Sequence, residues 1–149
     1  MKDQTKASVS VVFSTFNRAE SVRETLEAFL ELDLEGIEAE FVVVANNCSD
    51  STNEVLLSLK ECMPLVILEE PIPGKNKALN TAIASTELSE LIVFCDDDIT
   101  PYKDWLQEIV ATSNRTPQTS VFGGQIIPSW PGGRQPPWAD NPFLLSLGF

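Results

Sequence analysis

Apolar residues alternate along the chain between runs of strand length and spaced positions of helical period. Residues 8–14, SVSVVFS, form a short β-branched run that predicts a strand. Val22, Leu26, Phe29 and Leu30 follow at i, i+4, i+7 and i+8, one face of a helix. Asn17 and Glu20 predict its capping box. EFVVVA, residues 40–45, is nearly continuously apolar, as a strand buried on both faces should be. Ser51 and Glu54 then open a second helix whose stripe is Val55, Leu56 and Leu59. PLVILEE (64–70) predicts a third strand, and Gly74 to Thr86 a third helix facing inward through Ala78, Leu79, Ala82 and Ile83. LIVFC (91–95) predicts a fourth strand running directly into Asp96, Asp97 and Asp98. Thr100 and Pro101 suit the start of a fourth helix, with Tyr102, Trp105, Leu106, Ile109 and Val110 on its apolar face. SVFGGQIIP (120–128) predicts a fifth strand.

Regular strand–helix alternation predicts an α/β fold: a mostly parallel, Rossmann-like sheet with helices on both faces. Residues 1–128 are expected to form this domain. Residues 129–149 read as a Pro/Gly-rich tail that ends in the apolar stretch Phe143 to Phe149. That end is expected to be an interrupted element and a surface for self-association. In open parallel sheets, ligands bind beyond the carboxyl ends of the strands. The polar clusters STFNR, NNCSD, PIPGKNK and DDD all sit at such ends, which points to one shared site.

Composition narrows the chemistry. A formal charge of −12 argues against a nucleic-acid surface and against a polybasic membrane patch. The absence of histidine excludes a Ser-His-Asp triad, a Cys-His pair and His-ligated zinc, and leaves general-base work to a carboxylate. Cys48, Cys62 and Cys95 form no C-x-x-C and read as reduced thiols, with Cys48 and Cys95 as packed small residues. The first ten residues lack an apolar signal core, and no apolar run approaches the roughly 20 residues that span a bilayer. These features predict a cytoplasmic protein.

Three adjacent carboxylates repel one another, and a hard divalent cation relieves the repulsion. On a strand-like turn Asp96 and Asp98 point the same way and Asp97 the other, so Asp96 and Asp98 are the candidate metal and nucleotide ligands, with Asp97 in support. Solvated loop acids near a helix start account for the cluster equally well. Gly74 permits close backbone approach, and Lys75 and Lys77 can meet a diphosphate at a helix N-terminus; surface lysines are the plain alternative. The spacing fits neither a Walker A motif nor a G-x-G-x-x-G loop. Asn46 and Asn47 offer amides to a nucleobase or serve a turn, and Thr15, Asn17 and Arg18 offer base or phosphate contacts or a helix cap. Trp130 and Trp138 suit either sugar stacking or packing of the tail.

Taken together, four segments resemble the N-terminal half of family 2 glycosyltransferases, which have the GT-A fold. They are VSVVFSTFNRAESVRETLEAFL, FVVVANNCSDST, GKNKALNTAI and LIVFCDDDITPYKDWL. The resemblance implies a metal-dependent enzyme, using Mg²⁺ or Mn²⁺, that transfers a sugar with inversion from a nucleotide-diphosphate donor to an acceptor hydroxyl. A UDP-sugar is the leading donor, and the acceptor is a glycan or a lipid-linked saccharide. Thr15, Asn17, Arg18, Asn46, Lys75 and Asp96 would contact the nucleotide, and Asp96 and Asp98 would form the D-x-D metal motif. Ala45 replaces the first acid of the loop motif, and Leu79 an arginine often found before Asn80. No catalytic base is found: after the DDD cluster the only acids are Asp104, Glu108 and Asp140, and none matches the family's later acidic motif. The chain is therefore expected to be truncated to the donor half, of an enzyme working in the cytoplasm or peripherally at a membrane. A non-catalytic nucleotide-binding module or subunit is the alternative.

Overall fold

The computed structural model describes residues 6–141, in two compact units, Met1–Thr116 and Pro117–Phe149. The first unit is built on four parallel strands: β1 (Ala7–Thr15), β2 (Ile37–Asn46), β3 (Leu65–Glu70) and β4 (Leu91–Phe94). Their order is β3-β2-β1-β4, so the chain steps outward from β1 to β3 and then returns to the other side of β1. β1 and β2 are central and carry the longest apolar runs, since both of their faces are covered.

Four helices connect and follow the strands: α1 (Ala19–Leu30), α2 (Thr52–Leu59), α3 (Lys75–Ser85) and α4 (Trp105–Arg115). One face of the sheet, through Val9, Val11, Phe13, Phe41 and Val43, packs against α1, α2 and α4. Phe29 is its hub, edge-on to Phe13 at 6.0 Å and stacked on Phe41 at 5.1 Å and Trp105 at 6.0 Å. The opposite face, Val12, Val42 and Val44, meets α3 through Ala78 and Ala82, whose small side chains suit a close helix–sheet approach. Helices thus cover both faces, as the alternation predicts. On the α3 side β4 keeps an exposed margin, with Ile92 36% and Phe94 51% accessible.

Several local expectations are corrected. Asn17 does not cap α1. It adopts a left-handed φ of 50°, and its Oδ1 accepts hydrogen bonds from the backbone of Ser49 (2.7 Å) and Asp50 (3.3 Å). The capping carboxylate comes instead from Asp50, whose Oδ2 accepts Ala19 N–H at 3.4 Å and whose Oδ1 accepts Thr52 N–H at 3.0 Å and Thr52 Oγ1–H at 2.6 Å. Ser51 precedes α2 without a side-chain cap bond of its own. Leu30 and Ile83, assigned to buried faces, are 45% and 52% exposed.

Helix α4 begins at Trp105, not beside Pro101, and Tyr102 is exposed. The chain must first cross toward α1: Ile99 exchanges hydrogen bonds with Thr25 Oγ1, and Lys103 O accepts from Asp33 N. Only after the turn from Tyr102 O to Trp105 N does helical pairing start. Residues 120–128 form no strand. Gly123 and Gly124 offer no side chains to pack, and Val121, Ile126 and Ile127 are exposed. The first compact unit ends at Thr116.

The second unit contains two short 3₁₀ turns, Pro131–Gly133 and Pro137–Asp140. Trp130 and Trp138 pack edge-on to each other with centroids 5.5 Å apart. The apolar stretch Phe143 to Phe149 lies outside the described residues. Among the described residues no helix is long and apolar enough to cross a membrane.

Candidate functional site

The strand order reverses between β1 and β4, and there the carboxyl ends diverge into a crevice. A cleft of about 350 Å³ opens at this point, lined by Ser14, Thr15, Phe16, Arg18, Asn46, Lys75, Asp96, Asp97 and Asp98. Loops following all four strands contribute to it. Of the residues expected from the sequence, six line this cleft, together with Asp97. Asn17 is exposed and ties the β1–α1 loop to the β2–α2 loop.

Charge dominates the cleft. Arg18 Nη1 donates to Asp97 Oδ1 at 3.0 Å and to Asp98 Oδ2 at 2.8 Å, and Lys75 Nζ pairs with Asp96. The hydrogen bond to Asp98, followed by the charge of Asp97, holds the Arg18 guanidinium above its ordinary pKa. The carboxylates alternate: Asp97 is buried, while the side chains of Asp96 and Asp98 are 55% and 53% accessible. Asp97 therefore serves as an internal anchor for Arg18, while its neighbours face the cleft.

Beneath these charges lies a neutral scaffold. Asn46 is buried, and its Nδ2 donates to Glu70 O and Ile72 O, both at 2.8 Å, while Oδ1 accepts Gly74 N–H at 2.8 Å. Both donors are thus spent inside the protein, and one acceptor lone pair remains. Gly74 has φ of 139°, a conformation open essentially to glycine, and it turns the chain directly into α3 so that Lys75 stands at the helix start. The buried Glu70 carboxylate closes the same loop from below, accepting Ile72 N–H at 2.8 Å and Thr81 Oγ1–H at 2.6 Å. The Thr81 bond first, then the Ile72 bond, draw the Glu70 pKa below its usual range.

Thr15 is almost wholly buried, and its Oγ1 has no hydrogen-bond partner. A buried hydroxyl left unpaired costs about 1–3 kcal/mol, and Thr15 belongs to the lining of the cleft. Cys95, just before the acids, is inert as a nucleophile: burial first, then the adjacent Asp96 charge, push its thiol up to about 12.

Asp96 and Asp98 supply hard oxygen donors of the kind Mg²⁺ and Mn²⁺ select. Among the described residues no three carboxylate or thiolate side chains converge as a cage.

Three features of the site are not read from the sequence. Phe16, 52% exposed, offers an apolar ring at the cleft, Ser14 lines it, and Asp50 organises the helix starts around Arg18. An aromatic residue directly after a buried strand was a usable signal for Phe16; the bond from Asp50 to Ala19 N–H gave none, because it spans 31 residues, although Asp50 also bonds the nearby Thr52.

Comparison with known proteins gives consistent matches. The family model for glycosyl transferase family 2 matches residues 10–143. Glycosyltransferase AglE of Haloferax volcanii is 27% identical over 127 residues, which cover 84% of this chain and 41% of the relative. The glucosyl-dolichyl phosphate glucuronosyltransferase of the same organism is 26% identical over 145 residues, covering 94% and 44%. The chain therefore spans less than half the length of these relatives. Among solved structures, the mannosyltransferase PcManGT from Pyrobaculum calidifontis, in complex with GDP-Man and Mn²⁺, has a TM-score of 0.62 at 32% identity, covering 72% of this chain and 33% of that one. TarS of S. aureus has a TM-score of 0.63 at 23% identity over 73% of this chain and 32% of that one, a likeness of fold. With a family model spanning all four strands from residue 10 onward and a cleft at the sheet's reversal point, the chain belongs to glycosyl transferase family 2.

Proposed function

We propose that this chain binds the nucleoside diphosphate of an activated sugar and forms the donor side of a glycosyl transfer to an acceptor hydroxyl with inversion. The observation that carries this reading is the meeting of two cations with three carboxylates in one cleft at the strand reversal. Arg18 and Lys75 offer positive charge to a diphosphate, and the N-terminus of α3 adds unpaired backbone N–H groups beside Lys75. Thr15 Oγ1 and the exposed ring of Phe16 suit the nucleoside, the first as a hydrogen-bonding group and the second as a stacking surface. Asn46 acts beneath them, holding the loop that presents Lys75 and offering one remaining lone pair to the base. Asn17 fixes the neighbouring loops.

A divalent cation at Asp96 and Asp98, Mg²⁺ or Mn²⁺, would supply charge neutralisation for the departing diphosphate. A relative of similar fold binds GDP-Man with Mn²⁺, and another binds UDP-GlcNAc. The donor is a nucleotide-diphosphate sugar, a UDP-sugar by the reading of the motifs, and the acceptor a glycan or a lipid-linked saccharide. A second reading, a nucleotide-binding module that does not itself complete transfer, draws support from the lining: neither Asp104 nor Glu108 belongs to it.

Calorimetric titration of UDP, GDP, CDP and dTDP, with Mn²⁺ and with EDTA, tests the donor site. One nucleotide should bind in a cation-dependent manner, and Asp98→Ala should abolish that dependence. Failure of all four nucleotides to bind under either condition would remove the donor-site reading.

A further inference from the structure

The acidic cluster is already partly neutralised by the protein's own cations. Three carboxylates face two cations, which leaves one net negative charge. The pairs are not equivalent. Arg18 shares one nitrogen between Asp97, whose side chain is 9% exposed, and Asp98, which is 53% exposed. The Lys75–Asp96 pair is exposed at both ends. Half-exposed pairs gain little net energy and exchange readily, whereas the bond to the buried Asp97 is better protected from solvent.

We propose that Arg18 and Lys75 are exchangeable counterions that couple cation entry to diphosphate binding. In the free chain they hold Asp98 and Asp96; when a divalent cation takes those carboxylates, both side chains turn to the diphosphate. This rests on the donor-site reading and adds a mechanism of assembly to it. Arg18 pivots on Asp97 and keeps its backbone position, because its N–H donates to Thr52 Oγ1 at 3.2 Å. Lys75 turns from the first residue of α3, where an anion also meets free backbone N–H groups.

Electrostatics makes the coupling positive. A cation arriving alone must displace two ion pairs and stays beside two positive side chains, Lys75 unpaired and Arg18 held by Asp97 alone. A diphosphate arriving alone meets three carboxylates. Arriving together, each relieves the repulsion the other creates, so each should strengthen binding of the other by the same factor.

The test measures Mn²⁺ affinity from the paramagnetic resonance signal of the free ion, alone and with UDP or GDP, corrected for Mn²⁺–nucleotide complexes in solution. The wild-type chain should bind Mn²⁺ alone weakly and about tenfold or more tightly with the nucleotide it accepts. Arg18→Gln should bind Mn²⁺ alone about tenfold more tightly than wild type, since one opposing charge and one competing pair are gone. Its gain from added nucleotide should shrink in proportion. Lys75→Gln, at a side chain 58% exposed, should shift both quantities in the same direction and serves if Arg18→Gln loses the native circular dichroism spectrum. If both variants bind Mn²⁺ alone no better than wild type, while wild type still binds nucleotide with Mn²⁺, counterion exchange is wrong and the donor site stands. If wild type binds no nucleotide with any cation, both readings fall together.

Discussion

Thr15 Oγ1 is buried without a partner, and that makes Thr15 a sensitive probe of the site. Valine keeps the shape and removes the unsatisfied group, so Thr15→Val should raise the unfolding free energy by about 1 kcal/mol in urea titrations. The same change should weaken nucleotide binding several-fold, about 1 kcal/mol for one lost hydrogen bond. Opposite signs for stability and affinity are the expected signature; a loss of stability would show that the hydroxyl is satisfied in the free chain. Asp50 carries a second prediction. Its hydrogen bond from the Thr52 hydroxyl, and then those from the backbone N–H of Thr52 and Ala19, hold its carboxyl below the ordinary aspartate range. A carboxyl lowered on folding stabilises fully above its unfolded value, about pH 4, and loses that contribution as pH falls through the lower folded value. Asp50→Asn should therefore lower the melting temperature at pH 7, and the gap from wild type should narrow as pH falls below the unfolded value of about 4.

At the scale of elements, the hub of the larger core is Phe29, fully buried against Phe13, Phe41 and Trp105, while Leu30 beside it is 45% exposed. Phe29→Ala should cost about 3–5 kcal/mol, and Leu30→Ala about 0.5 kcal/mol or less, as measured by urea unfolding. Helical spacing places both on one stripe, and only packing separates them: Leu30 lies 100° around from Phe29, at the rim. This marks where the sequence is legible. Val9, Val11 and Phe13 in one strand, and Phe41 to Val44 in the next, announce strands because burial on two faces demands continuous apolar runs. Helix starts are less legible, because their orphan N–H groups accept any nearby oxygen. Here Asp50 caps α1 across 31 residues, while the local Asn17–Glu20 signal goes unused. Residues 120–128 carry a strand's composition, but pairing is a tertiary property that Gly123 and Gly124 do not enforce.

At the scale of the whole molecule, the position of the cleft follows from topology. A sheet ordered β3-β2-β1-β4 has one reversal, and the loops after β1 and β4 must part there. The sequence discloses the ingredients, polar clusters at four strand ends, but not the internal pairing of Arg18 with Asp97 and Asp98 across 79 and 80 residues. Inverting transfer needs a carboxylate to take the acceptor proton as the bond forms, and in the free chain the acids of the cleft pair with Arg18 and Lys75. Of the acids that follow, Asp104 begins α4 and Glu108 lies in its first turn, and Asp140 accepts a hydrogen bond from Gln135 at 3.2 Å. Neither Asp104 nor Glu108 lines the cleft. One general base typically contributes about 10²–10⁴-fold in rate. The purified chain should therefore bind its donor with Mn²⁺ yet release nucleoside diphosphate slowly, at a rate unchanged by added saccharide acceptors. Release that accelerates with acceptor, and slows in Asp140→Asn, would identify a working base within the chain and overturn this division between donor binding and transfer.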